Sequence, residues 1–138
     1  MATYASKKVQ IIWGGVALTG VMDDSFVEVD RNADSFTQMT GADGETARAA
    51  SADKSGKVTV RFLQTSIAND ILTADMVIDE LTNTNAKSLM VKDGSGRSLH
   101  SAKEAWITKP AKVVYGKGIE GREWVFESGE LLMGAAGN

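Results

Sequence analysis

A chain of 138 residues carrying a formal charge of -3, from 18 acidic and 15 basic side chains, has the size of one ordinary domain, read as 1–138, and removes roughly two-thirds of its unfolded surface from water without staples. With no cysteine and His100 as the only histidine, thiolate zinc sites, disulfides, Cys nucleophiles and His-metal-His pairs are excluded, and any Ser-His-Asp triad has to be built on that one residue. There is no basic stripe for phosphate counterion release and no apolar run long enough for a bilayer or an export signal, so tight nucleic-acid binding, membrane insertion and secretion are not expected.

The first eight residues are polar and lead into a strand. Val9, Ile11, Ile12 and Trp13 make Lys8 to Trp13 a strand; Gly14-Gly15 is a turn and Val16 to Thr19 the return of a β-hairpin. Phe26 to Arg31 alternates, with Phe26, Glu28 and Asp30 on one face and Val27, Val29 and Arg31 on the other. Asn32-Ala33-Asp34 then predicts a turn into a strand over Ser35 to Thr40, a second hairpin. Gly41 to Gly56 has no large apolar side chain and reads as a mobile loop or a long protruding hairpin that orders against something outside the subunit, with protrusion favoured.

Val58 to Leu63 is a strand leading through Ser66, an N-cap residue, into a helix over Ile67 to Leu81, with Asp70 in its first turn. Its periodicity predicts two apolar faces. Ile67, Ile71, Ala74, Ile78 and Leu81 form the stripe expected to cover the sheet, and Leu72 and Met76 a second face, free for assembly. Ser88 to Lys92, the turn Asp93-Gly94-Ser95-Gly96 and a return starting at Leu99 form another hairpin. Ala105 to Thr108 and, beyond Pro110, Val113 to Tyr115 are short strand candidates. Arg122 to Glu127 is a strand, Ser128-Gly129 a bulge or bend, and Glu130 to Met133 its continuation. Gly134 to Asn138 is a small-residue tail. Eight to ten strands and one helix describe a mainly β fold, a β-sandwich or barrel with one flanking α-helix and a long protruding loop or hairpin.

Gly116-Lys-Gly118-Ile-Glu-Gly121 matches G-x-G-x-x-G, yet a strand and not a helix follows it, so it reads as a turn and not as a pyrophosphate cradle. Asp30 to Ser35 opens like a calcium loop but has Ser35 where glycine is required and Gly41 where the bidentate acid belongs. His100 receives no role. Acid pairs such as Asp23-Asp24 or Glu28 with Asp30 have glycosidase chemistry open to them in principle; 18 acids always supply such pairs. Trp13, Trp106 and Trp124 sit in alternating strands, where burial is favoured over a sugar-stacking platform.

Val58-Thr-Val-Arg-Phe-Leu-Gln-Thr-Ser-Ile-Ala-Asn-Asp-Ile-Leu72 resembles tail tube proteins of contractile-tailed bacteriophages. So do Phe26 to Phe36, Gly41-Ala-Asp-Gly-Glu45, Ala102 to Pro110 and Arg122-Glu-Trp124, which extends the resemblance over most of the chain. The resemblance implies a non-enzymatic virion protein of the tail, assembled in the host cytoplasm without cofactor or metal. It also implies homohexameric rings stacked into a tube inside a contractile sheath, with the tape-measure protein and then DNA in the lumen, and the baseplate and tail terminator proteins as further partners. On that basis Asp43, Glu45, Arg48, Asp53 and Lys54 are candidates for ring-to-ring contacts, Leu72 and Met76 for an assembly face, and Glu28 and Asp30 for a lumen that does not hold DNA. The alternatives are the tube protein of a contractile secretion system, a carbohydrate-binding β-sandwich, and a carboxylate-dependent hydrolase.

Overall fold

A computed structural model describes residues 3–134, so the tail beyond Gly134 lies outside the described residues. Among them are ten strands and one α-helix, after a single 3-10 turn at Ser6–Lys8. Strands β1 (Val9–Trp13) and β2 (Val16–Leu18) form the expected hairpin. Its turn works because Gly14 and Gly15 both take positive φ, 58° and 86°, which glycine adopts without steric cost. Next come β3 (Val27–Arg31), β4 (Phe36–Thr40), β5 (Thr46–Ala50) and β6 (Gly56–Leu63), then helix α1 (Ile67–Thr82), β7 (Lys87–Asp93), β8 (Leu99–Ile107), β9 (Gly121–Ser128) and β10 (Leu132–Gly134).

The main sheet is antiparallel in the order β2-β1-β7-β8-β9-β6-β3, with β10 also on β8. Strand β9 meets β8 only from Ala105 to Ile107, and after the break at Ser128 the chain resumes along the same edge of β8 as β10, at Ser101 to Leu99. The bend expected at Ser128-Gly129 is therefore where the sheet turns. Trp13 on β1 and Phe126 on β9 are three strands apart in the ladder order, yet their rings are 4.9 Å apart. The sheet has folded over on itself, giving a sandwich that does not close into a barrel. Its core joins Ile11, Leu89 and Val91 to Val60, Phe62 and Phe126.

Three expectations are corrected. The second hairpin does not form: β3 pairs with β6 and β4 with β5. Val27 and Val29 pack against the core next to β6, whereas every residue of β4 and β5 is exposed. A strand with nothing to bury leaves the sheet and pairs locally. Val113 to Tyr115 is irregular, not a strand, because it lies between Pro110 and two glycines and the Arg122 guanidinium donates to Val114 O at 3.3 Å in place of a ladder bond.

The helix has the opposite orientation from the expected one. Leu72 is 0% and Met76 9% exposed, and with Ala68 they face the core, while Ile67 is 65% and Leu81 79% exposed. The cause is polar. On the sheet side, Asn69 Oδ1 accepts the Trp124 indole N–H at 3.0 Å, and Asp75 accepts from Trp13 Nε1 at 2.7 Å and Lys87 Nζ at 2.8 Å. Two buried indoles demand acceptors, and the helix supplies them on the face that also carries Leu72 and Met76. Ser66 caps the helix as expected, accepting from Ala68 N at 3.1 Å, and Asn83 ends it in the left-handed conformation at φ 59°.

Candidate assembly surfaces

The apolar-poor excursion supplies the turn and one strand of a protruding two-stranded ribbon, whose other strand is β4, the stretch expected to belong to a second hairpin. Thr46-Ala-Arg-Ala-Ala50 pairs residue by residue with Phe36-Thr-Gln-Met-Thr40, and the Gly41–Glu45 turn is closed by Gly41 N donating to Glu45 O at 2.7 Å and Glu45 N to Asp43 Oδ1 at 3.1 Å. At its base, Ser51 N donates to Ser35 O at 2.8 Å. Directly paired residues share a face, so Phe36, Gln38, Thr40, Thr46, Arg48 and Ala50 lie on one side and Thr37, Met39, Ala47 and Ala49 on the other. The first side holds the Arg48 guanidinium over the Phe36 ring, 4.4 Å from its centroid. The second is uncharged, and its Met39 is 78% exposed.

The five polar candidates do not act from one place. Asp43 and Glu45 occupy the ribbon tip and Arg48 its mid-length. Asp53 and Lys54 belong to the return segment at the base. There Asp53 Oδ1 accepts from Ser55 N at 2.9 Å and Ser55 Oγ at 2.6 Å, bonds that hold its carboxyl below the usual carboxylate range. Lys54 is tied to the body by its backbone, its carbonyl accepting from Leu131 N at 2.8 Å.

Glu28 and Asp30 are exposed, side by side on the outer face of β3. Register places Lys57, Thr59 and Arg61 of β6 and Glu123, Val125 and Glu127 of β9 on that same face. Arg61 binds Glu28 at 3.4 Å and Glu123 at 3.1 Å. Four acids against two bases make this a polar, net acidic wall.

The outward stripe of α1 consists of Ile67, Val77, Ile78 and Leu81, with Ala74 between them. Sequence periodicity grouped Ile67, Ile71, Ala74, Ile78 and Leu81 as the face covering the sheet; of these Ile71 does pack against the core, while Ile67, Ile78 and Leu81 face outward with Val77. The 108–120 segment was missed: Val113, Val114, Tyr115 and Ile119 are exposed together in an irregular connection. The signal available was a run of apolar residues bounded by proline and glycines. His100 on β8 has a buried Nδ1 without a hydrogen-bond partner, and burial holds its pKa below the usual value. Trp13 and Trp124 are core residues and only Trp106 is exposed, so the three indoles make no common platform.

These surfaces leave large apolar side chains uncovered, and similar proteins are known. The family described as Bacteriophage PhiTE tail tube protein matches residues 1–134. The chain belongs to this tail tube family. A structural protein, ORF10, of Pseudomonas phage KPP10 is 32% identical over 145 residues, covering 99% of this chain and 84% of the relative. Among solved structures, the fold resembles a chain of a native gene transfer agent virion, with a TM-score of 0.67 at 14% identity, covering 96% of this chain and 100% of that one. It also resembles a chain of the sheath/tube terminator of an extracellular contractile injection system in the extended state (TM-score 0.64, 11% identity, 98% and 99% covered). As a tail tube family member the chain is a structural protein of the virion tail, and its fold is similar to that of the matched chains in those particles.

Proposed function

We propose that the chain, acting as a single domain, builds the inner tube of a contractile phage tail: six copies close into a ring and rings stack into a channel that conducts DNA at ejection. The tape-measure protein fills the lumen before DNA does, the sheath surrounds the tube, and the baseplate and terminator proteins cap its ends. The role is architectural, without catalysis. The observation that carries this reading is the β4–β5 ribbon, all ten strand residues of which are exposed. A lone two-stranded ribbon is marginal in water, and one that leaves the sandwich has its natural partner in the next ring. There Asp43, Glu45 and Arg48 make the polar contacts, with Asp53 and Lys54 at its base. A heterologous contact of this kind repeats without closing along the ring axis and generates a tube. Glu28 and Asp30, within the acidic wall, face the lumen, where like charge keeps DNA from adhering.

The tube of a contractile injection system is the second reading, supported by the likeness to a chain of an injection-system sheath–tube complex at TM-score 0.62 and 12% identity. Negative-stain electron microscopy of the purified protein tests both: rings or tubes with a central channel are expected, and a monomer at high concentration contradicts them. Co-assembly with a phage or an injection-system sheath then separates the two.

A further inference from the structure

We propose that the outward face of α1 in one copy receives the 108–120 segment of a neighbouring copy. This contact rests on the reading that the chain assembles with itself, and it names two surfaces that meet.

Both surfaces are apolar and uncovered in the subunit. The helix presents Ile67, Val77, Ile78 and Leu81; the segment presents Val113, Val114, Tyr115 and Ile119, with Tyr115 83% exposed. They do not cover each other within one chain, since all eight side chains remain exposed. The segment is held within its own chain just before the helix N-cap, where Gln64 N donates to Glu120 O at 3.0 Å, and at β9, where the Arg122 guanidinium lies 5.5 Å from the Tyr115 ring centroid, and neither contact covers the apolar side chains. A partner outside the chain is therefore required.

Charge selects the partner. Helix α1 has no basic residue, and its solvent side carries Asp70 and Glu80. The segment carries Lys109, Lys112 and Lys117 against the single acid Glu120. Among the described residues none of Asp70, Glu80, Lys109, Lys112 or Lys117 is in an ion pair. The spacings also fit. Asp70 and Glu80 are about 15 Å apart along the helix axis, a distance within the reach of about 17 Å that the chain from Lys112 to Lys117 has at most. The surfaces therefore match in polarity, sign and length, and a contact between different patches on successive copies is heterologous, as a ring needs.

The absence of cysteine allows a direct test with two full-length single-cysteine variants, Ile78→Cys and Val113→Cys, mixed, assembled and oxidised. A disulfide-linked dimer is expected from the mixture and from neither variant alone. A dimer from Ile78→Cys alone, or no dimer although particles form, overturns the contact and gives the helix face to itself or to another protein such as the sheath. A wild-type protein that stays monomeric overturns the assembly reading instead, and this contact with it. As a second measurement, Lys112→Glu with Lys117→Glu, or Asp70→Lys with Glu80→Lys, is expected to raise the concentration for half-assembly roughly tenfold, and the four changes together to return it to within roughly threefold of wild type. Unchanged midpoints in both pairs overturn the proposal.

Discussion

At the scale of single residues, the fold depends on close approaches that leave no freedom of substitution. Gly56 begins β6 where a Cβ would lie 2.7 Å from Asp30 O and against the Leu131 side chain. Arg31 holds the same spot, donating from Nε at 3.1 Å and Nη2 at 2.9 Å to Leu131 O. Gly56→Ala should therefore destabilise the subunit by about 1–3 kcal/mol, as overpacking does, and chemical denaturation measures it. His100 offers a second check. Its folded-state pKa is held below the ordinary histidine value of 6.5 by burial, so the unfolded chain takes up a proton first as pH falls. The stability linked to neutral His100 is thus intact above about 6.5 and lost as pH drops through the lowered folded value. As the only histidine, its imidazole NMR signal titrates without overlap. A midpoint below 6.5 is expected, and one at or above 6.5 contradicts the burial argument.

Among the elements, α1 and the ribbon show which features were legible in the sequence. The β1–β2 and β7–β8 hairpins and the Ser66 cap follow from local chemistry, and the structure has them. Helix orientation does not, because it is decided by Trp13 and Trp124, 62 and 55 residues away from their acceptors Asp75 and Asn69. A periodicity that counts only apolar residues reads Asn69 and Asp75 as solvent-facing, and so turns Ile67 and Leu81 inward. The partner of β4 was hidden for the converse reason: Phe36 and Met39 look like core residues, and only the sheet's pairing of β3 with β6 leaves them outside. Two outcomes separate the helix faces. Leu72→Ala should cost about 2–5 kcal/mol of subunit stability through the cavity it leaves. Leu81→Ser should change stability by less than about 1 kcal/mol while weakening assembly, as sedimentation velocity would register. For the ribbon, replacing Phe36–Ala50 by a short Gly-Ser link is geometrically mild, since Ser35 and Ser51 are already hydrogen-bonded at 2.8 Å. The melting temperature should shift by no more than about 4 °C and rings should persist, but tubes should not elongate. Normal tubes would remove the ribbon from the stacking contact.

In the proposed tube the whole molecule has to meet two demands that oppose each other: strong self-association and indifference to the polymer passing through. The apolar helix stripe, the 108–120 segment and the unpaired outer edges of β2 and β3 would serve the first, because an exposed edge that is a hazard in a monomer becomes a joint when a neighbour completes it. In that tube the acidic wall of β3, β6 and β9 would serve the second. Its balance is narrow, since Lys57 stands between Asp30 and Glu127 across three strands, and reversing those two acids turns the row into three lysines. Asp30 and Glu127 are in no ion pair among the described residues, so Asp30→Lys with Glu127→Lys should leave the fold intact. If this wall lines the lumen, every copy in every ring then presents cations to the phosphates, and counterion release makes affinity fall steeply with salt. Tubes of the double variant should retain DNA in a co-sedimentation assay at about 50 mM salt and release most of it by about 200 mM, the range over which several phosphate contacts lose orders of magnitude in affinity. Wild-type tubes should retain none at either concentration. Equal exclusion of DNA by both proteins would place the wall on an outer or buried surface of the tube, and the lumen would then have to be lined by the opposite half of the sandwich.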